Sequence, residues 1–260
     1  MTASASPITI PLLQQMKRDR RKIVAVVAWD YQIARIVDRV GVEIVSVGDS
    51  VGMNLWGQRS PTDVTLDEMM VVCKAVRRGV TRALVSCDFP PGPLEAGTSA
   101  ALDAASRLAE AAGADMVKLD GAAAYPEAVR AISHAGIAVF AQMEVAPGAE
   151  PTADTIARLV EDAQRLQDAG ASLIDFKYSG PAAGAAVAGA VSIPVLGGLG
   201  GGPWLDGRLR MAHAAIGYDA SHLDTPVETY ANVAMIAFEA ISAYADDVRA
   251  GRQIKSGRRA

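Results

Sequence analysis

RVGVEIVSVGD (residues 39–49), AAGADMVKLD (111–120), HAGIAVFAQME (134–144) and DAGASLIDFKY (168–178) repeat one pattern four times. In each, an amphipathic segment ends at a glycine, and a short apolar run begins within two or three residues. Gly41, Gly113, Gly136 and Gly170 stand where a helix needs a left-handed residue just past its end. The run that follows each carries no helical stripe, so each copy reads as a helix followed by a strand.

Outward from these copies, IVAVVAWD (23–30), ALVSCDFP (83–90) and IPVLGGLG (193–200) supply three more apolar strands, and an eighth is expected near Tyr218 to His222. Strands buried on both faces and alternating with helices pair in parallel. About eight such units in 260 residues favour an α/β fold of the (β/α)8 TIM-barrel kind. The open doubly wound sheet is the alternative. A single domain is expected over residues 1–250, with a basic, frayed tail at 251–260.

The helices are legible too. TLDEMMVVCKAVRRG (65–79) opens with Thr65 as N-cap and Glu68 three positions on, a capping box. TADTIARLVEDAQRLQDAG (152–170) places Ile156, Leu159, Val160 and Leu166 on one face, and PAAGAAVAGAV (181–191) predicts a closely packed helix. A last helix from about Pro226 to Arg249, bearing Val227, Tyr230, Val233, Ile236 and Ile241, is expected to close the barrel from outside.

With 50% hydrophobic residues the chain can bury one large core, and its formal net charge of −4 leaves no basic footprint for nucleic acid. Cys73 and Cys87 are too few for a disulfide framework and match no zinc spacing, which points to a reducing cytoplasm. No signal segment or stretch of about 20 apolar residues is found, so no membrane association is expected.

In a barrel of this kind the reactive groups sit at the carboxyl ends of strands. Those ends carry Asp49 and Ser50, Asp88, Lys118 and Asp120, Gln142 and Glu144, and Asp175 and Lys177. Residues two apart along a strand share a face, so each of the last three pairs can point inward together. Carboxylates converging at one mouth repel one another unless a cation neutralises them. An all-oxygen set suits Mg2+ or Mn2+, which leaves coordination positions for a chelating 2-oxo acid. Against this stands the plainer reading of single acids as helix caps and single lysines as packed stems.

At these residues the chain resembles the ketopantoate hydroxymethyltransferase family, of the phosphoenolpyruvate mutase and isocitrate lyase superfamily. The likeness runs from about Ile10 to Gly217. It is carried by AWDYQIARIVDRVGVEIVSVGDSVGM (28–53), DVTLDEMMVVCKAVRRG (63–79), CDFP (87–90), GADMVKLDGA (113–122) and, more weakly, LDGRLRMAHAAIG (205–217). The resemblance implies that Asp49 and Asp88 ligate the metal, that Asp120 replaces a Glu completing the acidic cluster, and that Ser50 and Lys118 bind the oxo acid. It implies enolisation of a 2-oxo acid and attack on a one-carbon unit from 5,10-methylenetetrahydrofolate, in a homo-oligomer.

The departures fall on proton handling. Gln142 stands where the family has His, and Lys177 where it has a Glu base. A GYKVQG-like flap is absent between Val145 and Ala153, and the GIGAG-like loop survives as GGLGG (197–201). Gln142 then remains a substrate-binding candidate. Lys177, as base or Schiff-base amine, and Glu144, on the Gln142 face, become the catalytic candidates. Alternatively, Lys177 pairs with Asp175 and fills space. His213 lies in an expected helix and is assigned a structural role. A folate-independent aldolase, lyase or decarboxylase on another 2-oxo acid, and a catalytically silent barrel, are the competing functions.

Overall fold

The computed structural model describes residues 6–148, 150–225 and 228–252. Eight parallel strands close into a barrel in sequence order: β1 (Ile23–Val27), β2 (Ile44–Val47), β3 (Leu84–Phe89), β4 (Met116–Leu119), β5 (Ala138–Glu144), β6 (Leu173–Lys177), β7 (Val195–Gly198) and β8 (Gly207–Met211). The helices are α1 (Ile10–Arg18), α2 (Tyr31–Val40), α3 (Val51–Leu55), α4 (Leu66–Gly79), α5 (Pro91–Glu95), α6 (Thr98–Ser106), α7 (Pro126–His134), α8 (Ala153–Asp168), α9 (Pro181–Ala190), α10 (Ala212–Ile216) and α11 (Val233–Arg249). The (β/α)8 barrel expected from the repeated unit is the fold.

The repeat works as its glycines require: Gly41, Gly113, Gly136 and Gly170 have φ of 93°, 79°, 83° and 98°. A Cβ there would be strained whatever the surrounding space. Thr65 and Glu68 form both bonds of the capping box. On α8, Leu159, Ala163 and Leu166 are buried. At Gly184 of α9 a Cβ would stand 2.4 Å from the Trp204 ring, the close packing that the Ala- and Gly-rich sequence predicts.

The eighth strand is a correction. Residues 218–222 pass into a 3-10 turn (Ala220–Leu223), whereas β8 is formed by GRLRM, Gly207–Met211. Its Leu209 is buried while Arg208 and Arg210 are exposed. A strand with one solvated face alternates polar and apolar residues, so a search for continuous apolar runs passes over it.

The chain divides into two compact units, Met1–Arg210 with the barrel strands up to Arg210 and Met211–Ala260. Within the second, α10 ends at left-handed Gly217, and buried His213 meets Tyr218 edge-on at 4.9 Å, in keeping with a structural role. The last helix starts at Val233, capped by Asn232, rather than near Pro226. Tyr230, Ile236 and Ile241, expected to be covered, are exposed. Val227 and residues 253–260 of the basic tail lie outside the described residues. Among the described residues no helix is long and apolar enough to cross a membrane.

Candidate active site

Strand register explains why so many polar side chains share one space. Register partners on neighbouring parallel strands face the same way, and Asp88 is opposite Lys118 while Gln142 is opposite Asp175. Lys118 of β4 reaches Asp175 of β6, two strands away, at 3.7 Å, a contact that passes through the barrel interior. At the carboxyl end of the strands the interior is therefore lined by charge.

Lys118 is the hub. Only 3% exposed, its Nζ lies 2.7 Å from Asp120 Oδ1, 3.3 Å from Asp88 Oδ2 and 3.7 Å from Asp175 Oδ2. Lys177 Nζ donates to the other oxygen of Asp120 at 2.8 Å. Both Asp120 oxygens are thus taken by ammonium groups. The Asp49 backbone N–H donates to Asp88 Oδ2 at 3.3 Å, which sets the two acids of β3 and the β2 end side by side. Ser50 follows at the start of α3, half-buried, and makes no capping hydrogen bond with its hydroxyl.

On β5, Gln142 Oε1 accepts the Gly121 N–H at 2.6 Å and its Nε2 donates to Glu144 at 3.2 Å. Gln142 is buried and Glu144 exposed, with Glu144 in register with Lys177. A cavity of about 310 Å3 opens beside them, lined by Asp120, Gly121, Gln142, Glu144 and Leu159 among others.

The electrostatics follow from who holds Lys118. Burial among other acids pushes the Asp88 carboxyl up to about 7 in spite of Lys118. Burial also raises Asp49, against the pull of Lys118. Asp120 is pushed up by burial as well, but the two ammonium groups outweigh it and hold the carboxyl well below the usual range. Burial disfavours the Lys118 charge, yet Asp120, Asp88 and Asp175 together keep its pKa well above that of a free lysine.

Every sequence-predicted site residue lies at this end of the barrel. Lys177 pairs with Asp120 and not, as the alternative reading had it, with Asp175, because Asp175 lies one inward layer lower, where it meets Lys118. Asp175 faces inward, as alternation along the strand predicts, but the sequence assigns it no role of its own at the site. Its signal was available: an acid in the middle of LIDFK has no solvated face to occupy.

The donor set can accommodate a hard cation. Asp88 Oδ1 is buried and accepts no hydrogen bond, and an orphaned carboxylate oxygen is costly unless a charge completes it. Among the described residues no three or more acids, His or Cys are grouped tightly enough to enclose an ion. Mg2+ commonly takes only one or two protein carboxylates, and Asp49 and Asp88 are the two that lysines leave most open.

The model of the ketopantoate hydroxymethyltransferase family matches residues 7–253. The chain is 36% identical over 255 residues to the 3-methyl-2-oxobutanoate hydroxymethyltransferase of Aeropyrum pernix, covering 94% of this chain and 92% of that one. In fold it resembles a phosphonopyruvate hydrolase solved with oxalate and Mg2+, with a TM-score of 0.63, 13% identity, and 94% and 88% of the two chains covered. It also resembles 2,3-dimethylmalate lyase, of the phosphoenolpyruvate mutase and isocitrate lyase superfamily, with a TM-score of 0.58, 15% identity, and 96% and 100% covered.

Proposed function

The chain belongs to the ketopantoate hydroxymethyltransferase family of enzymes, and from that premise we propose that it makes or breaks a carbon–carbon bond beside the carbonyl of a small 2-oxo acid, through an enolate. Hydroxymethyl transfer to 3-methyl-2-oxobutanoate is the reaction it most resembles. The observation that carries this reading is the buried cation Lys118, flanked by Asp49 and Asp88 at the barrel mouth.

Asp49 and Asp88 would hold Mg2+ or Mn2+, which when bound supplies Lewis-acid polarisation of the substrate carbonyl. Lys118 and Ser50 receive the carboxylate and carbonyl of the oxo acid. A fixed ammonium in a dry pocket stabilises negative charge as it develops on that oxygen. Glu144, which accepts a hydrogen bond from Gln142, takes the proton from C3, and Gln142 orients it. Lys177, held by Asp120, stands in register with the base, and Asp120 acts chiefly as the clamp of two lysines. The one-carbon donor 5,10-methylenetetrahydrofolate approaches from the cavity beside Glu144.

Lys177 in place of an acid favours a second reading, a folate-independent aldolase, lyase or decarboxylase on another 2-oxo acid. Incubation with Mg2+ and 3-methyl-2-oxobutanoate in deuterated water, followed by NMR, tests enolisation. Loss of the C3 proton signal, abolished by EDTA and restored by Mg2+, is the expected result, and no exchange with any of several 2-oxo acids would leave the silent barrel. Adding 5,10-methylenetetrahydrofolate or free formaldehyde to the exchanging enzyme then separates the two enzymatic readings. The reading includes a homo-oligomer, supported by the exposed Ile236, Phe238, Ile241 and Tyr244 of α11 and checked by light scattering.

A further inference from the structure

The geometry points to Asp175 as a positioning residue that holds the Lys118 ammonium at its working depth in the barrel. Asp175 has no exposed surface, and its Oδ1 accepts the Gly198 N–H at 2.9 Å. Its Oδ2 makes no hydrogen bond and lies 3.7 Å from Lys118 Nζ. The β6–β7 pairing makes room for it: a Cβ on Gly198 would come within 2.6 Å of Asp175 Oδ1. A buried carboxylate is costly to retain, and the main compensation for its second oxygen is the Lys118 ammonium, with Lys177 a weaker, more distant contributor.

The three carboxylates around Lys118 are not equivalent. Asp120 is 39% exposed and shares itself with Lys177, while Asp88 has one oxygen directed to no protein partner. Both therefore change partners when ions or substrate enter the mouth. Asp175 lies below them, out of reach of anything that enters. Its attraction is the constant one, and it stops Lys118 from following an incoming carboxylate outward. Asp175 touches no substrate and acts through Lys118, so its role rests on the reading of Lys118 as the oxo-acid binder.

Asp175→Asn keeps an oxygen for the Gly198 N–H and removes the charge. Trinitrobenzenesulfonate labelling of metal-free protein, quantified by mass spectrometry for each lysine peptide, reads the position of Lys118 without any substrate. Lys118 labelling is expected to rise about tenfold in D175N, the scale of coupling between contacting groups. Lys17, at the opposite end of the barrel and paired with Asp206, serves as the internal control and should not change. Lys118 remaining protected in D175N overturns the proposal, as does equal deprotection of Lys17. If D175N does not fold, Asp175→Leu, which fills the layer without charge, carries the same measurement.

Calorimetry with Mg2+ and 3-methyl-2-oxobutanoate gives the functional arm. D175N should weaken binding about tenfold in the wild-type background and have no further effect in a Lys118→Met background. The same loss in both backgrounds also overturns the assignment. Wild-type protein that binds no 2-oxo acid would remove the substrate reading while the labelling still decides the position of Lys118.

Discussion

Both ends of the barrel are built with lysines and aspartates, yet the two ends use them differently. At the amino end, charges are tied to backbone. Lys17 donates to the carbonyls of Ala188 and Ile193 at 2.8 and 2.9 Å, and Asp38 accepts from the backbone of Thr81, Arg82 and Ala83 and from the Thr81 hydroxyl. Asp115 and Asp206 accept the N–H groups of Val85 and Val195. At the carboxyl end, charges are tied mostly to one another, with single backbone N–H groups on Asp88 and Asp175, and Asp88 Oδ1 and Asp175 Oδ2 are left without hydrogen bonds. Backbone-satisfied charges fix strand register and loops. Charges that keep an unfilled acceptor remain available to a ligand, which is the division of labour between the two faces of this fold.

The largest expected effect breaks the carboxyl end without touching the other. Glu144→Gln should slow C3 deuterium exchange by about 10³-fold, within the range for loss of a general base. Its melting temperature should hold, because Glu144 is exposed. A normal exchange rate would pass the base role to Lys177.

Asp38→Ala should do the reverse. Leaving three backbone N–H groups and a hydroxyl without their acceptor costs about 3–5 kcal/mol, read by urea unfolding, while exchange per folded molecule is unchanged. A selective loss of activity would blur the distinction between the ends. The milder Asp38→Asn adds a pH signature. Burial pushes the Asp38 carboxyl up, but its bonds to Ala83, Thr81 and Arg82 outweigh that and hold it below the ordinary value. Its contribution is therefore present above the unfolded pKa and lost as pH falls through the depressed folded one. The gap between wild type and D38N, about 1–2 kcal/mol at neutral pH, should close in strong acid. Smallest, Lys17→Met should cost about 1 kcal/mol through its two carbonyl bonds and the pair with Asp206, again with no effect on exchange.

How much of this was written in the chain depends on whether a feature is local. Helix ends at Gly41 or Gly170 and the cap at Thr65 are decided within a few residues, so they were legible. The polar residues at the strand ends were legible for the same reason, since period-two alternation places Lys118 with Asp120 and Gln142 with Glu144. What escaped depends on contacts distant in sequence. β8 hides because its arginines face solvent, and the partner of Lys177 is set by strand stagger, which places Asp120 across from it and lowers Asp175 by a layer. That Asp120 serves two lysines is visible only when β4 and β6 face each other.

Gly198 carries a consequence for how this interior can change over time. Because a Cβ at that position would stand 2.6 Å from Asp175 Oδ1, the carboxylate would have to swing aside and loosen its bond to the Gly198 N–H, so the two sites are epistatic. A change at either position therefore has to be read together with the residue at the other.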